Sequence, residues 1–411
     1  MDFDCDALVI GAGPAGSAAA IQLAKAGWRV MVVEQHAYPR RKVCGECIAA
    51  GNLALLDELG IGAAFRAAAG PELRQVGWMG GAATVCGDMP PCTAGPYPYG
   101  RAFGRDRLDT LLLDRARALG VAVLQPARAR SLSGALGSFE CSVESAGGEW
   151  QSIHAPVVVD AHGSWERGPT VSGDTAVRPI RAPRRASDLF AFKANFRGGS
   201  LPSGFLPVLA LPGGYGGMVV ADHGRTTLAC CLRRDTLAAV RAQAPRLPAG
   251  PAVEAFLTRS CAGVRTALRD AEREGAWLSV GPLRPGIRLD ALDGAFRVGN
   301  AAGESHSLIG EGISMALQSA VLLAATLTRQ PVGAISATRG IELHRTYAAA
   351  WRQRFAPRLH LAALYAQIAM RPMLAELARA LLAHRPALLS RAALLAGKAA
   401  SGAYLLPTEM A

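Results

Sequence analysis

Two cysteines and an acid stand together in the stretch RRKVCGEC: Cys44, Glu46 and Cys47, with Arg40, Arg41 and Lys42 just ahead of them. A C-x-x-C pair can act as a redox dithiol, supply half of a tetrahedral zinc site, or belong to a loop serving another cofactor. The zinc reading fails on ligand count, because no second C-x-x-C and no nearby His pair completes four ligands, and no metal is expected. A thioredoxin-like dithiol belongs at a helix N-terminus behind a different strand pattern. Further along, His306 lies in GESHSLIGEGI, beside Glu304, Ser305 and Glu311. An imidazole titrates near neutral pH and can move a proton to or from a substrate. Catalytic candidates are therefore His306, Glu46 and Cys44, with Glu311 a further acid and Glu304 and Ser305 placed to orient the imidazole. Neither a Ser-His-Asp set nor a Walker loop competes with them.

The elements that must position these residues begin at the N-terminus. DALVI, Asp6 to Ile10, reads as a short buried strand, and GAGPAG places Gly11, Gly13 and Gly16 in G-x-G-x-x-G spacing around Ala15. SAAAIQLAKAG reads as a helix rich in small residues, ending at Gly27, and RVMVVE as a second strand ending on Glu34, 18 residues after Gly16. Together these make a βαβ unit: glycines for a tight turn and close backbone approach, a helix N-terminus aimed at a pyrophosphate, and an acid for a ribose. Near the other end, FRVGNAAG reads as a strand running into a glycine turn, and GEGISMALQSAVLLAATL opens a helix with Gly310, Gly312 and Ile313 at its start. Its free N–H groups suit the ribityl–phosphate region or the O2/N1 edge of a flavin.

The pair GAGPAG…E and VGNAAG…GEGI…AL resembles the flavoprotein monooxygenase superfamily with the p-hydroxybenzoate-hydroxylase-like fold, and within it the geranylgeranyl reductase and FixC-type branch. The matches run from residue 6 to about residue 325. The resemblance implies FAD as cofactor, with NAD(P)H or a separate flavin reductase as electron donor. It assigns Asn300, where the family has Asp, to the ribityl chain, and Arg105 to a family Arg opening the helix RDRLDTLLLDRARALG. Asp109 inside that helix reads equally well as part of a solvated amphipathic face. VVVDAHGSWERGP keeps Asp160, Gly163 and Ser164 of a family element but carries His162 where Asp is usual, which puts direct NADPH use in question. The resemblance also sets K.CGE in a loop beside the isoalloxazine, with Arg41 or Lys42 near the phosphates, Gly45 close to the ring, and Cys44 matching the reductase Cys. Cys47 is extra: a packed thiol, or the partner of Cys44 in a flavin-coupled disulfide.

Reduced flavin can pass hydride from N5 to a double bond, or form a C4a-hydroperoxide that hydroxylates or, with chloride, halogenates. Halogenases of the superfamily carry W-x-W-x-I-P, and none of the six Trp lies in one. The reductase element Y-x-W-x-x-P is reduced to YGGMVV, where Tyr215 survives and Gly217 stands for Trp, opening room for a bulkier or ring-containing substrate. These observations favour a monooxygenase acting on an apolar aromatic or polyketide-like molecule. The alternatives are a geranylgeranyl-reductase-like enzyme acting on C=C bonds and an electron-transfer flavoprotein without turnover.

Length and composition set the frame. The 411 residues carry a formal charge of +12, almost all from Arg, since there are four Lys. No basic patch with interleaved aromatics accompanies that charge, so nucleic acid is not an expected partner. The start, MDFDCDALVIGAG, has no charged region followed by an apolar core and cleavage site, and no apolar run approaches 18 residues, so a cytoplasmic protein is expected. The expected organisation is α/β: a discontinuous FAD-binding domain over roughly 1–75, 100–180 and 280–340, and an antiparallel substrate-binding sheet over 76–99 and 181–279. A C-terminal helical extension follows over 341–411, with breaks at Pro357, Pro372 and Pro386. From Leu343 to Lys398 that tail holds nine Lys or Arg against one acid, Glu376. It reads either as a cap over the substrate domain or as a basic surface for a membrane or an acidic carrier protein.

Overall fold

The apolar run Ala7–Ile10 forms the middle strand of a five-stranded parallel sheet, in the order Phe296–Arg297, Val157–Asp160, Ala7–Ile10, Val30–Val33, Ala122–Leu124. All four of its residues are buried, as a strand covered on both faces requires. The computed structural model describes residues 4–164, 166, 168–171, 184–289, 294–331, 335 and 337–398. Parts of the expected segments, including 172–183, 290–293, 332–334 and 399–411, lie outside the described residues.

Helix Pro14–Lys25 starts three residues before the SAAA run, with Pro14 in its first turn, where the missing N–H costs nothing. Ser17, Ala18, Ala19 and Ala20 are buried all round the helix, which packs against helix Gly312–Leu327. Short side chains let the two helices approach closely, so the two glycine segments far apart in sequence open on one cleft.

The second unit is a seven-stranded sheet: Glu272–Leu283, Leu189–Arg197, Thr226–Arg233, Gly214–Val220, Phe205–Leu211, Gln75–Gly80, Ala83–Asp88. Pairing is antiparallel except where Phe205–Leu211 lies parallel to Gln75–Gly80. Successive side chains go to opposite faces. Phe192, Cys230 and Met218 join a core with helix Ala249–Ser260, whereas Ala191, Cys231 and Tyr215 join a core with the C-terminal helices. The α/β fold with an antiparallel sheet and a helical C-terminus is therefore as expected.

The C-terminal helices run Ala337–Met370, Pro372–His384 and Ala387–Leu395. The expected break at Pro357 does not occur; the first helix continues through it. Pro357 and Gln353, whose carbonyl loses its partner, both face solvent, where water can take up the freed carbonyl, while Trp351, Phe355 and Leu359 are buried on the inner side. Pro372 instead opens the second helix and Pro386 precedes the third. Among the described residues no helix is long and apolar enough to cross a membrane.

Candidate active site

The nucleotide end of the cleft is built by the βαβ unit. Gly11 takes a left-handed φ of +100°, and a Cβ there would meet the Ala161 carbonyl oxygen at 2.6 Å. A Cβ on Gly16 would fall 1.8 Å from the Gly11 oxygen, so neither position admits a side chain as the turn stands. Helix Pro14–Lys25 has no side-chain cap, which leaves its first N–H groups turned to the cleft beside Gly13 and Ala15. Glu34 is buried at the end of its strand, where Oε2 accepts from Ala12 N–H at 2.8 Å and Oε1 from His36 N–H at 2.9 Å. That arrangement fixes the carboxylate at the strand end, where the sequence reading expects a ribose.

The basic side of the cleft comes from Arg40 and Lys42. Both meet Glu166, at 3.2 and 3.3 Å, and Arg40 Nε has no hydrogen-bond partner among the described residues. Burial pushes the Glu166 carboxyl up, but Lys42, Arg40 and His36 outweigh it and hold the group below its ordinary value. Arg41 does not reach the cleft. Its guanidinium donates to Asn195 Oδ1 at 2.6 Å and to the Glu274 carbonyl at 2.9 Å, fastening the loop to the long sheet.

The same fastening explains Glu46, which is buried with a left-handed φ of +61°. Oε1 is paired with the Lys193 ammonium and accepts from Arg105 N–H at 3.1 Å, and Oε2 accepts from the Thr227 hydroxyl at 2.6 Å. Thr227 in turn accepts from Asn195 Nδ2 at 2.7 Å, closing a network back to Arg41. Although Glu46 lies along the cleft, its carboxylate is fully engaged and positions the Cys44–Cys47 loop. Cys44 and Cys47 are both free thiols. Cys44 opens on the cleft and its sulfur accepts from Glu46 N–H at 3.3 Å, while Cys47 is buried 3.6 Å from Lys398 Nζ.

Other expected ligands fall as follows. Arg105 lines the cleft, but its guanidinium forms a two-point pair with Asp109, both contacts at 2.7 Å. Asp109 is buried, so the solvated-face reading is wrong: the i,i+4 spacing turns it inward onto Arg105. Asp160 is engaged by His162 Nδ1 at 2.5 Å and lies behind the cleft wall, which Gly163, Ser164 and His162 form. Burial raises its pKa, but the His162 hydrogen bond and charge, with Arg297, bring it below the ordinary value. Asn300 lines the cleft and donates to Ser164 Oγ at 2.6 Å. Gly310, Gly312 and Ile313 line it at the start of the second uncapped helix. Glu311, at the same turn, faces the other way: it is buried against Lys398 at 3.1 Å and Arg358 at 3.8 Å.

His306 lines the cleft, and its Nδ1 lies 3.0 Å from the Tyr215 hydroxyl. Burial lowers the pKa of the imidazole and raises that of Tyr215, so both favour the neutral form. Glu304 does not orient this histidine, because its carboxylate binds Arg284 N–H and Arg288, each at 3.2 Å. Tyr215 has that role, and it also lines a second cavity of about 360 Å³. The second cavity lies between the long sheet and the C-terminal helices, with Val76, Trp78, Val208, Gly217, Ile368 and Leu389 among its walls. Gly45, Cys47, Ala229, Ser307 and Gly310 line both spaces, so the two adjoin at the Cys44–Cys47 loop.

Lys193, Thr227 and Lys398 escape the sequence reading. One signal was available: a single Lys inside the apolar strand LFAFKANF, in a chain with four Lys, calls for a buried anionic partner.

Residues 4–171 match the FAD binding domain family. The menaquinone reductase of Mycobacterium tuberculosis is 36% identical over 131 residues, 31% of this chain and 31% of that protein. Squalene monooxygenase 1,1 of Brassica napus is 31% identical over 171 residues, 40% of this chain and 33% of that protein. These alignments span about a third of the curated relatives' length. The myxobacterial chondrochloren halogenase CndH, an FAD-dependent halogenase, has the same fold, with a TM-score of 0.72, 21% identity and coverage of 96% of this chain and 90% of that one. The glycine cradle, the two uncapped helix ends, the held Glu34 and the unpartnered Arg40 Nε fit FAD. The chain is a flavoprotein with the p-hydroxybenzoate-hydroxylase-like fold, and its cofactor is FAD. Its domain and fold are those of FAD-dependent oxidoreductases.

Proposed function

We propose that this flavoprotein is a monooxygenase that hydroxylates an apolar aromatic or polyketide-like small molecule. The observation that carries the reading is the apolar cavity of about 360 Å³ that adjoins the flavin cleft at Gly45 and Gly310. Its walls hold few polar groups, so an apolar ring system gains by burial there between the long sheet and the C-terminal helices. Bound FAD supplies two-electron redox chemistry and, once reduced, activation of oxygen. Gly45 lets substrate approach, since a Cβ there would meet nothing within 4 Å, and Gly217 widens the same space. The likeness to squalene monooxygenase 1,1 supports this choice.

His306 and Tyr215 are the proton-handling pair in this reading, with the imidazole on the cleft and the phenol on the cavity. Replacing His306 by Gln is expected to cut turnover about 10²–10⁴-fold with flavin content unchanged. The wild-type acid limb falls below the ordinary histidine value of about 6.5, because burial disfavours the imidazolium, and the variant lacks that limb. The unfolded chain binds the proton first as pH falls below about 6.5, so wild-type stability declines there and the variant's declines less. A pH–rate profile and thermal unfolding at two pH values check both.

A second reading, reduction of a C=C bond, is favoured by the likeness to menaquinone reductase and by Cys44-Gly45-Glu46. Oxygen separates the two. The FAD-loaded enzyme, reduced anaerobically with aromatic polyketides and prenyl quinones, is expected to give no product until oxygen is admitted. One labelled oxygen atom from O₂ then enters the product and the other leaves as water. Saturated product formed without oxygen overturns the monooxygenase reading.

A further inference from the structure

Among the described residues, seven of the ten exposed large apolar side chains lie between Leu364 and Leu395. Met373, Leu377 and Leu381 are 87%, 68% and 53% exposed and follow each other at i, i+4 and i+8, a single stripe along helix Pro372–His384. Leu394 and Leu395 add to it from the next helix. No residue of helix Pro372–His384 is buried, yet Ala378 and Leu382 line the apolar cavity. Leu381 is both exposed and part of the cavity wall, so the cavity reaches the surface at this stripe.

Charge along the two helices is mainly basic. Arg371, Arg385 and Arg391 are exposed next to the stripe in sequence, and the exposed acid within it, Glu376, is paired with Arg379. An aliphatic stripe flanked in sequence by guanidinium groups has the chemistry of a helix that lies in the headgroup region of an anionic bilayer. An acidic protein would satisfy the arginines but would set Met373 and Leu377 against a charged surface.

We propose that this face docks on an anionic lipid surface, and that apolar substrate enters the cavity from the bilayer at Leu381. The proposal rests on the reading of the cavity as the substrate site, but its test does not need turnover. The FAD-loaded full chain is sedimented with phosphatidylcholine vesicles, with and without phosphatidylglycerol. The expected result is binding that rises at least tenfold with the anionic lipid and weakens in high salt. The variant Met373→Ser/Leu377→Ser/Leu395→Ser, which touches no cavity-lining residue, is expected to bind at least tenfold less. It should keep wild-type flavin content and wild-type oxidation of detergent-dispersed substrate. Equal vesicle binding by variant and wild type overturns the proposal. So does a wild-type chain that ignores vesicles, including one that instead binds an acidic carrier protein. Vesicle binding without any oxidised product leaves the docking intact and counts against the monooxygenase reading alone.

Discussion

Gly16→Ala is expected to yield protein without its flavin. The added methyl would lie 1.8 Å from the Gly11 carbonyl oxygen and 3.1 Å from the Ala161 side chain, in a turn whose backbone would form the floor of the pyrophosphate site. No rotamer relieves a Cβ contact, so the turn must open and the helix N-terminus must draw back from the phosphates. Overpacking of this kind costs about 1–3 kcal/mol, which corresponds to about a five- to 150-fold loss of affinity. The ratio of bound flavin to protein after purification and a titration with added FAD measure it. Gly95→Ala, at a position where a Cβ meets nothing within 4 Å, is the control and should bind FAD normally. A yellow, active Gly16→Ala protein would mean that this helix does not carry the phosphates.

Glu46→Gln has the second large effect, and on stability first. It leaves the Lys193 ammonium buried without its carboxylate, and breaking a buried pair from one side costs about 3–5 kcal/mol. Domains are stable by about 5–15 kcal/mol, so the loss is a large fraction of the total. Glu46→Gln/Lys193→Met removes the stranded charge while the Gln oxygen still accepts from Arg105 N–H and its amide donates to the Thr227 hydroxyl oxygen, and it is expected to recover most of the loss. Urea unfolding of the two single variants and the double gives the coupling. Recovered stability with poor turnover would place the role of Glu46 in holding the Cys44–Cys47 loop; additive losses would mean that the pair is not coupled.

The cradle was legible in the sequence because its information is local. Gly11, Gly13, Gly16 and Glu34 fall within one βαβ unit, where steric limits on φ and the free N–H groups of one helix dictate the outcome. The second glycine segment was legible for the same reason. Arg105 and Asp109 were within reach too, at i and i+4, but spacing alone does not tell which side of a helix meets the core. Arg41 shows the opposite limit: among three consecutive basic residues, the fold alone selects which reach the cleft.

Glu46 is where sequence and tertiary structure divide. The sequence by itself determined a dinucleotide-type cradle and the α/β framework through backbone constraints acting over short spans, while FAD and the placing of RRKVCGEC beside it came from the family resemblance. Tertiary structure decided what Glu46 and Glu311 do, because their partners Lys193 and Lys398 stand 147 and 87 residues away. It also decided that Tyr215 meets His306 and that an apolar cavity adjoins the cleft. A buried charge takes its role from whichever group shares its desolvated space, and that neighbour is set only when the sheet, the loop and the C-terminal helices close on one another.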